Sequence, residues 1–83
     1  MKIEIKMPCL KPDMKSGVLC AWNAEVGDKI KSGDVLFEVE TDKVVSQVEA
    51  AADMTIIELI SEEGDEVEPG KVVAYAEVDE YSL

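Results

Sequence analysis

Histidine and arginine are both missing from this 83-residue chain. Their absence removes the commonest general acid–base side chain and the commonest planar clamp for phosphate or carboxylate, which argues against catalysis by this chain alone. Cysteine is limited to Cys9 and Cys20, which lack the close spacing of a redox pair or metal site and have no histidine to complete a ligand set. With no secretory signal ahead of them, both thiols are expected to stay reduced. No apolar run approaches the ~20 residues of a membrane span, and the opening Met1–Pro8 is too alternating and too charged for a signal peptide. Basic charge is also scarce, because eight lysines face nineteen acids for a net charge of −11. Such a field repels phosphate backbones and anionic membrane surfaces, so neither nucleic acid nor membrane is an expected partner. A soluble intracellular protein, or an excised piece of one, is the reading that remains.

Eighty-three residues make one domain, 1–83. A chain of this size buries only roughly 60–65% of its unfolded surface, so its fold must rely on regular and economical pairing. Alternating apolar positions supply that pairing. Ile3, Ile5 and Met7 alternate with Lys2, Glu4 and Lys6 as a strand ending at Pro8, and Pro8–Ser16 is an aperiodic loop. Strand pattern returns over Val18–Trp22, over Val35–Glu40, over Val44–Glu49, over Thr55–Ile60 and over Val72–Val78. Two stretches of turn chemistry, Glu25–Asp34 and Gly64–Gly70, each enclose a short apolar peg, Ile30 and Val67.

The second half of the chain repeats the first at an offset of 37 residues, with Glu25/Glu62, Gly27/Gly64, Asp28/Asp65, Gly33/Gly70, Val35/Val72, Glu40/Glu77 and Asp42/Asp79 as identical pairs. The glycines carry most weight because they mark backbone positions that need special dihedrals. Pro69-Gly70 fits the centre of a type II turn, and Ser32-Gly33 should trace the same path. Two copies of a unit with one apolar face bury those faces against each other, which predicts an all-β flattened barrel or sandwich of two antiparallel sheets related by a pseudo-twofold axis. The segment Pro8–Ser16 is longer than its counterpart Ala50–Asp53, an asymmetry that packing does not require and that marks a recognition loop.

Between the strands around Phe37 and Val39 and around Val44 and Val48 lies Thr41-Asp42-Lys43. Asp favours turns, so a hairpin is expected with Asp42 and Lys43 at its tip and Lys43 projecting into water. The repeat sets Lys43 opposite Glu80, so the two halves diverge at a tip where one offers an amine. Trp22 is assigned to packing, and the acidic run Glu77–Glu80 to a solvated strand end.

The block Glu40-Thr41-Asp42-Lys43-Val44-Val45 resembles the modification site of lipoyl domains of 2-oxo acid dehydrogenase complexes, in the biotinyl/lipoyl attachment family. Met7-Pro8, Met14, Gly17, Trp22, Glu25-Val26-Gly27-Asp28, Glu63-Gly64-Asp65 and Pro69-Gly70 extend the likeness over nearly the whole chain. The resemblance implies a barrel of two four-stranded sheets whose Lys43 is joined by an amide to lipoic acid. It also implies a carrier, part of a dihydrolipoamide acyltransferase, and not an enzyme in its own right.

The implied partners are a lipoate ligase or lipoyl transferase, a thiamine-diphosphate-dependent 2-oxo acid dehydrogenase, an acyltransferase core and the flavoprotein dihydrolipoamide dehydrogenase. The domain itself is expected to be monomeric, in the cytoplasm or, in a eukaryote, the mitochondrial matrix. Glu40 and Asp42 would mark the site for the modifying enzyme and Val44 would leave the space beside it clear. Cys9, Leu10, Lys11, Pro12, Asp13 and Met14 are the candidate partner-recognition residues. Met54 stands where many family members have glycine, and a positive φ there would cost about 1 kcal/mol or more. Val44-Val45 leans toward the 2-oxoglutarate type and Met7-Pro8 with Met14 toward the pyruvate type, which leaves the 2-oxo acid open. A biotin carrier shares the implied fold, and an unmodified barrel used as an adaptor is the alternative from another class. The glycine-cleavage carrier is longer and helix-decorated, for which this chain has no room.

Overall fold

A computed structural model describes residues 1–78 of the chain. They form eight strands: β1 (Lys2–Lys6), β2 (Gly17–Trp22), β3 (Lys29–Ile30), β4 (Val35–Thr41), β5 (Val44–Glu49), β6 (Met54–Leu59), β7 (Glu66–Val67) and β8 (Val72–Val78). All pairings are antiparallel, in one sheet of order β1-β8-β6-β3 and one of order β5-β4-β2-β7. The short peg strands are exchanged, β3 joining the sheet of the second half and β7 that of the first, which ties the two repeats together.

The internal symmetry is visible in single bonds. Gly27 N donates to Ile56 O at 2.8 Å, and its counterpart Gly64 N donates to Leu19 O at 2.7 Å. Both long pairings carry a bulge at the same place, Cys20 in β2 and Ile57 in β6. β1 and β5 are outer strands in corresponding places, and each leads into one of the two unequal segments, Pro8–Ser16 and Ala50–Asp53. Asp79 and Glu80 lie outside the described residues, and with them the position that corresponds to Lys43 in the repeat.

The turns follow the repeat as well. Asp28 N donates to Glu25 O and Asp65 N to Glu62 O at 3.0 and 3.1 Å, while Asp28 and Asp65 each accept at Oδ2 from the N–H of the residue opening the turn, both at 2.9 Å. Lys31–Asp34 and Glu68–Lys71 close in the same way, with φ of 94° at Gly33 and 88° at Gly70, the left-handed value that type II turns need. An added Cβ at Gly70 would meet nothing within 4 Å. Gly70→Ala should therefore cost about 1 kcal/mol through the backbone alone. A D-alanine introduced there by chemical synthesis should be neutral or stabilising, and urea denaturation of the two proteins checks the difference.

Leu19, Phe37, Val39, Val73, Ala74, Ala76 and Val78 are completely buried between the sheets. Trp22 packs on Phe37 with ring centroids 5.0 Å apart and closes the core edge by donating its Nε1–H to Ser61 O at 2.8 Å. Cys9 and Cys20 are free thiols.

Two expectations need correction. Val44, read with Val48 as an apolar position of a half-buried strand, is 61% exposed, because β5 has β4 as its single neighbour and Val44 stands at the hairpin end. Met54 carries no left-handed strain. Among the described non-glycine residues only Asp42 and Lys43 have positive φ, and Met54 lies within β6 with its side chain in the core.

At the offset of 37, Met54 is the counterpart of Gly17. A Cβ on Gly17 would lie 2.6 Å from Val39 Cγ1 and 2.9 Å from Met14 Cε. The space that β6 fills from within the strand is thus filled in the other half by Met14, reaching in from the long loop.

Candidate functional site

The β4–β5 hairpin is built from six registered pairs, ending in Glu40 opposite Val45 and Thr41 opposite Val44. Only Asp42 and Lys43 remain to turn the chain, at φ of 48° and 67°. Two consecutive left-handed residues make a type I′ turn, whose hand matches the strand twist and which ordinarily takes Asn-Gly or Asp-Gly. Aspartate tolerates that region through local hydrogen bonding; lysine does not, and its cost is roughly 1–2 kcal/mol. The hairpin accepts that strain and in return holds Lys43 at the apex, exposed and with no ion-pair partner among the described residues. Its base is rigid, because Phe37 and Val39 in the same strand are fully buried.

Beside the tip runs the loop 8–16. Met14 N donates to Lys11 O at 3.1 Å, closing a turn with Pro12 at its second position, the place Pro's fixed φ suits. Leu10 N donates to Met14 Sδ at 3.2 Å and Cys9 Sγ to Lys11 O at 3.0 Å. From this anchored turn the Lys11 ammonium reaches the Asp42 carboxylate and forms an ion pair with it. Between loop and hairpin lies a cleft of about 410 Å³ lined by Lys11, Asp13, Lys15, Ser16, Thr41 and Asp42.

The sequence candidates thus fall into two groups. Lys43, Glu40, Asp42 and Val44 are exposed at the tip, and the loop residues Cys9, Leu10, Pro12 and Asp13 are exposed beside it with Lys11 half-buried. Met14 is buried in the core, so it shapes the loop from beneath and offers a partner no surface. The contact between Lys11 and Asp42, 31 residues apart, is one that the sequence pattern does not join.

The described chain ends are remote from the tip. Met7 N donates to Lys71 O at the start of β8, and Lys11, four residues on, touches Asp42, so the tip lies toward that end of the barrel. Met1 and Val78 bond to each other at 2.8 Å in both directions at the finish of β8, about 20 Å along the strand. Among the described residues the one buried polar side chain is Ser61, and no three histidine, cysteine or acid side chains are grouped so that they could hold a metal.

Comparison with known proteins gives a consistent picture. Residues 3–75 match the biotin/lipoyl family model described as biotin-requiring enzyme. The chain is 41% identical over 75 residues to the dihydrolipoyllysine-residue acetyltransferase component of the pyruvate dehydrogenase complex of Zymomonas mobilis, covering 89% of this chain and 17% of that protein. It is 33% identical over 75 residues to the corresponding component of the acetoin cleaving system of Bacillus subtilis, covering 90% of this chain and 19% of that protein. It therefore spans less than a fifth of the length of these curated relatives. Among solved structures it is similar to the lipoyl domain of the 2-oxoglutarate dehydrogenase complex from Azotobacter vinelandii, with a TM-score of 0.75, 33% identity and coverage of 90% of this chain and 95% of that one.

Proposed function

The chain belongs to the biotin/lipoyl attachment family as a lipoyl-type carrier domain, and on that premise we propose that Lys43 carries lipoic acid in amide linkage and serves as the swinging arm of a 2-oxo acid dehydrogenase complex. The observation that carries this reading is the tip itself, where a lysine without an ion-pair partner among the described residues occupies a strained left-handed position that glycine would fill more cheaply. The residues fit the group: an exposed amine on a rigid hairpin accepts a long chain without repacking anything. Lys43 would hold the group through its amine, and the dithiolane would supply a carrier able to take an acyl group and two electrons together from a carbanion-equivalent donor on the dehydrogenase.

The protein's own contribution is presentation. β4 and β5 hold Lys43 at a fixed distance from the core, and Met1 and Val78 meet at the opposite end of β8. Tethering then converts successive encounters into intramolecular ones with high effective concentration. The partners that follow are a lipoate ligase or lipoyl transferase, a thiamine-diphosphate-dependent dehydrogenase, an acyltransferase core and dihydrolipoamide dehydrogenase. The similar proteins belong to complexes for two 2-oxo acids, pyruvate and 2-oxoglutarate, and to an acetoin cleaving system, and a lipoyl group is named in all three. The compartment follows the complex, cytoplasm in a bacterium or mitochondrial matrix in a eukaryote.

Intact mass after co-expression with a lipoate ligase and lipoic acid tests the assignment. The wild type should gain one lipoyl group and Lys43→Arg none. A biotinyl adduct formed with a biotin ligase, with no lipoyl adduct, would replace this reading by the biotin carrier. A folded chain that accepts neither group would leave the unmodified adaptor.

A further inference from the structure

We infer that Lys11 is a positioning residue for the modification of Lys43, acting through the Asp42 carboxylate; the inference rests on the reading of Lys43 as the attachment site. Three ion pairs occur among the described residues. Two are confined to one sheet, Lys6 with Glu4 and the N-terminal amine with Glu77, and the third, Lys11 with Asp42, joins the long loop to the hairpin tip. Its two ends are unequally exposed. Lys11 opens the Lys11–Met14 turn, whose last residue is sealed in the core, and its side chain is 36% exposed against 74% for Asp42. The loop is therefore the fixed support and the turn residue the group being held.

Holding Asp42 has two consequences. Asp42 and Lys43 share one two-residue turn in a strained region, so fixing the first restricts the backbone of the second. A modifying enzyme that meets the amine already in one pose loses less in ordering it. The pairing also engages the carboxylate nearest in sequence to the Lys43 ammonium, so that Lys43 is presented without a counter-ion from its own turn. The loop thus acts on the modification step as well as lying beside it, and the other charged residues lining the cleft from the loop, Asp13 and Lys15, do not substitute because neither forms an ion pair with the hairpin.

Steady-state modification of the 83-residue chain by a lipoate ligase, with the domain as varied substrate, tests this. Lys11→Ala should raise KM for the domain about two- to five-fold with kcat little changed, the span that the coupling of an exposed ion pair allows. Lys11→Arg should restore the wild-type KM. In about 1 M NaCl, where the Debye length falls to ~3 Å, the ratio of variant to wild type should approach one. In the unmodified domain the Asp42 and Lys43 amide resonances should shift in Lys11→Ala while those of β4 and β5 stay in place. Equal KM values for Lys11→Ala and wild type, or an arginine variant as poor as the alanine one, would overturn the inference. A wild type that takes up no lipoyl group would instead overturn the assignment of Lys43, and this inference with it.

Discussion

Lys43→Gly should abolish the lipoyl adduct completely and at the same time raise the stability of the domain. The two effects come from one dihedral. At φ of 67° the lysine carries a left-handed penalty of roughly 1–2 kcal/mol, and glycine removes it at the cost of roughly 0.5–1 kcal/mol of extra chain entropy. A net gain of about 0.5–1 kcal/mol remains, which in a domain of this size is a rise of a few degrees in Tm. Lys43→Arg separates the terms, because it keeps both charge and strain: its adduct should be lost and its Tm unchanged. Intact mass and urea or thermal denaturation of the three proteins check this. A lipoyl adduct on Lys43→Gly would move the attachment site to another lysine. A lowered Tm would mean that the lysine is not strained at the tip.

The same turn explains why the site is legible in the sequence. A strand pattern interrupted by Thr-Asp-Lys leaves two residues to reverse the chain, and the strand registers then force both into the left-handed region. The six long strands are legible for a similar reason, whereas the two-residue β3 and β7 read in the sequence only as pegs within turn chemistry. Alternation marks the long strands, and glycines repeating at a fixed offset mark the turns, each a local signal with a local cause. What escapes the sequence is non-local or aperiodic. Lys11 and Asp42 each stand out alone, one in the loop and one at the tip, but no spacing rule joins residues 31 apart. Val44 follows the alternation and is exposed all the same, because period two reports which face a side chain takes and not how far the opposite sheet extends beneath it.

Met14 and Gly17 show the same limit in the core, and they support the second large effect. Met14→Ala should destabilise the domain by about 2–5 kcal/mol, the range for emptying a buried methionine site. Gly17→Ala should cost about 1–3 kcal/mol, since its Cβ would intrude on Val39 Cγ1 and Met14 Cε. Combined, the two should cost less than their sum by roughly 0.5–3 kcal/mol, because the alanine methyl enters space that Met14 has vacated. Met54→Ala, the corresponding truncation in the other half, should cost as much as Met14→Ala yet leave the tip alone. Met14→Ala should not leave it alone. With Met14 gone, the Lys11–Met14 turn loses its anchor and the Leu10 N–H loses its Sδ acceptor, so Lys11 is no longer held against Asp42. Its KM with a lipoate ligase should therefore rise as it does in Lys11→Ala, under conditions where the domain is still folded. Additive stabilities in the cycle would mean that Met14 and Gly17 do not share one space. An unchanged KM in Met14→Ala would mean that the loop reaches the tip without its core anchor.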